Sequence, residues 1–164
     1  MVYKLIAKIV SIPAVFNYLL KRAKKTPYTH IYGETDGVLY MERYWLLNPY
    51  PASDKPGVLS WLPISIRIHK IVKEDDDRHL HDHPWNARTF ILKGWYHEER
   101  LDGFNRREKG DTARLNFGEY HRITQVCEGG VYTIFVTGKY QGTWGFLVDG
   151  IKVKYYTYLG LEKK

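Results

Sequence analysis

One cysteine, Cys127, stands in a chain of 164 residues. No disulfide framework can form within it, which excludes the small secreted scaffolds that are stapled by bridges. A lone thiol suits a reducing compartment, and the expectation is a cytoplasmic protein. Long apolar runs are also missing. The nearest approach is MVYKLIAKIVSIPAVFNYLLKRAKK at the start, but Lys4, Lys8, Pro13 and Asn17 interrupt it and no small-residue cleavage site follows. Neither a secretory signal nor a membrane span is expected there. No fixed-period repeat, low-complexity tract or glycine-rich phosphate loop occurs. The acidic run Glu74 to Asp77 lacks the oxygen-ligand spacing of a calcium loop and reads as a loop.

The first 27 residues read as a basic helical lead-in. Lys4, Lys8 and Ser11 fall at i, i+4 and i+7 and make a polar stripe, with Leu5, Ile6, Ile9 and Val10 on the other side. Pro13 is expected to kink or restart this helix. The formal net charge is +7, and much of the excess sits at the ends, in Lys21, Arg22, Lys24, Lys25, Lys163 and Lys164. Packing of the helix on the domain is the simpler account of residues 1–25. A membrane surface or nucleic acid is the sharper one.

From residue 28 to 164 the character changes. Runs such as VLYMERYWLL, VLSWLPISIRIHKIV, TFILKGWYHEER, VYTIFVTGKY and IKVKYYTYLG alternate with turn signals rich in Gly, Pro, Asn and Asp. Aromatic residues make up 15% of the chain and favour strands. No helical pattern separates the runs, which argues against a parallel βαβ sheet and for one antiparallel, all-β domain.

Within it, RHLHDHPW places His79, His81 and His83 on alternate positions, hence on one face of an extended segment. Adjacent members would stand about 7 Å apart along the strand and the outer pair about 13 Å. Two of them can lean onto one metal ion with bonds near 2.1 Å, but not easily all three. A third ligand must then come from elsewhere, and spacing alone does not choose among His30, His69, His97 and His121. Pro84 is expected to end the strand.

This stretch resembles the first motif of the cupin superfamily: Gly, five residues, His-x-His, three or four residues, Glu, six residues, Gly. Here His81 and His83 keep the spacing to Gly94, Ala87 stands at the glutamate position and Asp75 at the leading glycine. A second stretch is similar to the second cupin motif, with Gly110, Asn116, Gly118, His121 and Gln125 at every spacing, Asn116 replacing Pro and Gln125 replacing Asn. Trp95 to Lys109 is the usual short connection. DRHLHDHPW, ILKGWYHE and TGKYQGTWGF further resemble a group of small cupin-like proteins of bacteria and phages with no settled activity.

The resemblance implies a double-stranded β-helix, a jelly-roll barrel, with a divalent transition metal (Fe, Zn, Ni or Mn) held by His81, His83 and His121. It also implies a small-molecule ligand and, through edge strands, a homodimer. Ala87 cannot ligate. The site would then have three histidines, as in cupins resembling thiol and diketone dioxygenases, unless His79 or Glu119 substitutes or the metal is weak or lost. Three neutral imidazoles leave a divalent ion its full charge and two or three open positions, which favours an anionic substrate, or substrate with dioxygen on iron(II). Arg88 and Arg67 are candidate clamps for such an anion, although a solvated strand charge is the commoner role. Asp82 is expected to face away from the histidines as a surface or turn partner of Arg78, and Trp85 and Trp95 are expected in the core. The leading expectation is an oxygenase-type metalloenzyme. The alternatives are a non-enzymatic binding or sensing cupin and a nucleotide-sugar isomerase or epimerase, which would need a histidine–carboxylate pair as general base.

Overall fold

The computed structural model describes residues 1–33, 36–49, 59 and 61–161. Two helices come first, α1 (Val2–Val10) and α2 (Pro13–Ala23), bent by 78° at the break. Pro13 occupies the first turn of α2, where its fixed φ suits the helix and its missing N–H costs nothing. It therefore restarts the helix. The strands follow: β1 (Pro27–Tyr32), β2 (Leu39–Leu47), β3 (Ser65–Ile71), β4 (Trp85–Lys93), β5 (Trp95–Arg100), β6 (Gly103–Glu108), β7 (Thr112–Leu115), β8 (His121–Val126), β9 (Val131–Tyr140), β10 (Gly145–Val148) and β11 (Ile151–Lys154), then a short α3 (Tyr155–Tyr158).

All pairings among these strands are antiparallel. One sheet has the order β1-β2-β3-β9-β4-β7. The other contains β6-β5-β8 and the β10-β11 hairpin, joined through His81, which bridges to both His121 and Phe146. The two sheets face each other as a jelly-roll barrel.

Strand alternation splits the apolar residues into two cores. Ile68 of β3, Phe90 and Leu92 of β4 and Ile134 of β9 point to the outer face of the first sheet, where Ala7, Phe16 and Ala23 of the helices cover them. Ile71, Ile91, Tyr96, Ile123 and Val131 point inward and fill one end of the barrel. Sheet positions buried on both faces explain why these strands read as nearly continuous apolar runs. The β4–β5 turn requires Gly94. Its φ is +81°, and a Cβ there would stand 2.7 Å from Cys127 Sγ and 2.9 Å from the Gly130 carbonyl. The thiol of Cys127 is half-buried and free.

Candidate metal centre

The histidine segment is slotted between β8 and β10. His81 N–H donates to the His121 carbonyl at 2.9 Å, and His121 N–H returns the bond to the His81 carbonyl at 2.9 Å. On the other side Leu147 N–H donates to Leu80 O at 2.8 Å and Asp82 N–H to Gly145 O at 3.0 Å. This reciprocal pair sets His81 directly opposite His121. His83, two residues on, returns to the same side. The pairing is a single bridge rather than the continuous strand expected up to Pro84. β4 starts directly after Pro84, whose ring nitrogen has no proton for a ladder.

One ring nitrogen from each of His81, His83 and His121 lies within 4.8 Å of the others. His83 Nε2 and His121 Nε2 are 3.0 Å apart. Two nitrogens bound to one ion at about 2.1 Å stand about 3.0–3.4 Å apart, so the donor set fits a transition metal.

Carboxylates behind the rings orient them. Glu98 Oε1 accepts from His121 Nδ1 at 3.0 Å. An ionised carboxylate only accepts, so the proton sits on Nδ1 and the Nε2 lone pair faces His83. Burial alone would push the Glu98 carboxyl up, but hydrogen bonds from His121 and Arg100 outweigh it and hold the group at about 2. Arg100 and Arg107 lie 3.0 and 2.9 Å from the Glu98 oxygens. Asp75 stands behind His81, 3.7 Å from its Nδ1. It is fixed by Tyr40 OH and by the Ile123 N–H at 2.8 Å, which ties the histidine segment to β8. A carboxylate on the far nitrogen of a ligating imidazole raises its basicity and fixes its tautomer.

Burial disfavours the charged form of His81 and His83. It lowers His81 to about 4, against a smaller opposing effect of Asp75. His83 and His69 are driven well below their usual value, chiefly by burial, with smaller effects of His121, His81 and Arg67 on His83 and of Arg67 and Arg43 on His69. Below the ordinary histidine value of 6.5, the unfolded chain therefore binds protons that the folded chain refuses. Stability is expected to fall as pH drops from about 6.5 toward 4, by up to about 1.4 kcal/mol per pH unit for each of these histidines. Urea midpoints of metal-free protein at several pH values in that window check this. A flat profile contradicts burial of neutral rings.

The three rings open onto a cavity of about 710 Å³ between the two sheets, lined among others by Arg67, Trp85, Tyr96, Phe135, Trp144 and Phe146. Trp85 lies nearly parallel to the His83 ring, 12° between planes and 6.2 Å between centroids.

Several residues fall elsewhere than the sequence suggests. His79 is outside the cluster and bonds Tyr158 OH at 2.9 Å through Nδ1. Glu119 accepts from the Asn116 N–H at 2.8 Å and from its side-chain amide, so it closes the turn before β8 and does not reach the rings. Arg88 is a correction as a substrate clamp. It faces outward on β4 and lies 3.9 Å over the Tyr3 ring of α1, because alternation sends its neighbour Thr89 inward instead. Arg67, expected to be a solvated charge, is only 3% exposed and packs 5.4 Å from the Trp45 and Trp85 rings and 5.5 Å from Phe135. Asp82 is a second correction. It is fully buried, accepting from Gly145 N–H at 2.7 Å and from Lys152, because the β10-β11 hairpin folds over the strand face that would otherwise be open. Trp85 lines the cavity, and Trp95 is half-buried under Arg106, 4.4 Å from its ring. Ala87 is buried in β4 and offers no ligand atom.

No family model matches the chain, and no curated protein sequence does. Solved structures do match. The cupin-2 domain protein of Rhodospirillum rubrum superposes with a TM-score of 0.54 at 11% identity, over 74% of this chain and 74% of its own. The polyketide cyclase RemF of Streptomyces resistomycificus gives 0.52 at 12%, over 75% and 80%. A cupin-like protein of Thermotoga maritima gives 0.50 at 14%, over 84% and 98%. The chain has the cupin fold. Identities this low speak to the fold alone, so the chemistry of this chain rests on its own residues. Glu98 and Asp75, the carboxylates behind the imidazoles, are the site residues that sequence reasoning missed. The signal for Glu98 is period-2 alternation on β5, which turns Tyr96, Glu98 and Arg100 toward the cavity together.

Proposed function

We propose that this cupin is a metal-dependent enzyme acting on an anionic small molecule, with His81, His83 and His121 holding a divalent transition ion. The observation that carries the reading is the convergence of three half-buried histidine ring nitrogens at the wall of a cavity, two of which, on His81 and His83, burial holds below the usual histidine range. An oxygenase-type reaction on iron(II) is the leading form. Bound there, the ion would keep its full positive charge and supply open positions for an organic substrate and dioxygen. The chain's own contribution is orientation and shielding. Glu98 keeps the His121 proton on Nδ1. Arg67 brings a buried cation to the cavity wall, a charge that favours a carboxylate or phosphate there. Trp85, Phe135 and Trp144 make the surrounding wall apolar and exclude water. Cys127 as the sole thiol suits a reducing, cytoplasmic setting.

Metal analysis of purified protein tests this. About one equivalent of a transition metal is expected after reconstitution. Less than about a tenth of an equivalent, before and after, would remove the metalloenzyme reading.

One observation favours a second reading. The His121–Glu98 pair at 3.0 Å is also the histidine–carboxylate couple of a metal-free general base, as an isomerase or epimerase needs. Chelator-treated protein that retains full turnover, lost on His121→Ala, would favour it.

A further inference from the structure

α1 is turned the opposite way from an ordinary surface helix. The side facing the sheet carries Ala7 and Ser11, which are 0% and 5% exposed. Val2, Leu5, Ile6 and Ile9, with Ile12 just beyond, point away and are 66%, 60%, 38%, 47% and 48% exposed. A helix that closes a domain normally puts its large apolar stripe inward. α2 does so, burying Phe16 and Ala23 and leaving Lys21 and Arg22 exposed.

The exposed stripe runs beside Lys4 and Lys8, both solvent-facing. Residues 1–25 hold six Lys or Arg and no Asp or Glu, so all but one of the chain's seven net positive charges belong to this segment. A contiguous apolar face with Lys4 and Lys8 along one side, on a segment without a carboxylate, fits one class of partner. We propose that α1 lies in the surface of an anionic lipid bilayer, its stripe at the acyl boundary and the cations of α1 and α2 on the headgroups.

Lying on the bilayer is distinct from crossing it. α1 and α2, of 9 and 11 residues, reach only about 14 and 17 Å, short of a hydrocarbon core of about 30 Å. No single helix among the described residues is long and apolar enough to cross a membrane. A second copy of the chain is the weaker occupant, because docking two such stripes brings like-charged segments together.

The test is co-sedimentation of the full chain with vesicles of phosphatidylcholine alone and of phosphatidylcholine mixed with phosphatidylserine, at low and high salt. Binding is expected to the mixed vesicles only and to weaken with salt. The double substitution Leu5→Glu/Ile9→Glu should reduce it by about tenfold or more, with the thermal unfolding of the barrel unchanged, since both side chains point away from the fold. Lys4→Glu/Lys8→Glu, which leaves the apolar stripe intact, should weaken binding to the mixed vesicles as well. Deleting residues 1–25 is the poorer experiment, as it would uncover Ile68, Phe90, Leu92 and Ile134. No binding of the full chain to the mixed vesicles, or binding by either double variant as strong as that of the unsubstituted chain, overturns the proposal. So does a concentration-dependent dimer that Leu5→Glu/Ile9→Glu abolishes, which would assign the stripe to a second copy.

Discussion

Glu98→Ala is expected to cost about 3–5 kcal/mol of stability, the usual penalty for breaking a buried ion pair from one side. The carboxylate side chain is only 2% exposed and stands within 3.0 Å of Arg100 Nη2, Arg107 Nε and His121 Nδ1. Removing it takes the shared carboxylate from two half-buried guanidinium groups and leaves Arg100 only the more distant Glu119, at 3.8 Å. The same substitution releases the His121 ring, so metal affinity should fall by about 10–100-fold as the tautomer and ring orientation lose their anchor. Glu98→Gln separates the two effects. The amide keeps the volume and can still accept from Nδ1, but it cannot neutralise the arginines. It should recover part of the metal affinity and less of the stability. Urea unfolding and metal titration of the two variants measure both quantities. Wild-type stability in Glu98→Ala would contradict the account of this residue.

His83→Ala and His121→Ala are each expected to bring bound metal below about a tenth of an equivalent, since two neutral imidazoles without a third donor bind a divalent ion weakly. The thermal signature should be sharper still. Metal at about a thousand times its dissociation constant adds about 4 kcal/mol to wild-type stability. In either variant the same addition should leave the melting temperature unchanged. His79→Ala serves as the control, because its ring is engaged with Tyr158 outside the cluster. It should keep both the metal and the metal-dependent rise in melting temperature. If His79→Ala lost metal as completely as His121→Ala, the ligand assignment would be wrong.

Much of the barrel was legible because its strands obey local rules. Short apolar runs between turn residues marked the strands, and Gly94, at positive φ between β4 and β5, sits where the first motif ends. The grouping of residues 81, 83 and 121 is what the resemblance of two stretches to the cupin motifs implies, each stretch too short to be specific alone, and the three rings do cluster. What was missed depends on contacts between distant segments. Asp75 read as part of an acidic loop, and only the fold brings β8 against it, 48 positions away in sequence. Asp82 read as exposed because its burial is supplied by a hairpin 63 residues downstream. Arg88 and Thr89 are neighbours in sequence, and which of them entered the cavity hung on a one-residue register that apolar-polar patterning leaves undecided when both sheet faces are covered. The cover on the outer face is the helical segment itself, which packs Ala7, Phe16 and Ala23 on the sheet while keeping its largest aliphatics of α1 outside.

An anomalous-difference map from crystals of iron- or zinc-reconstituted protein, collected at the absorption edge of the metal supplied, tests the metal centre most directly. A single peak about 2.0–2.2 Å from Nε2 of His83, Nε2 of His121 and one ring nitrogen of His81 is the predicted result. Three ordered imidazoles with no peak between them, or a peak bound elsewhere on the chain, would contradict it.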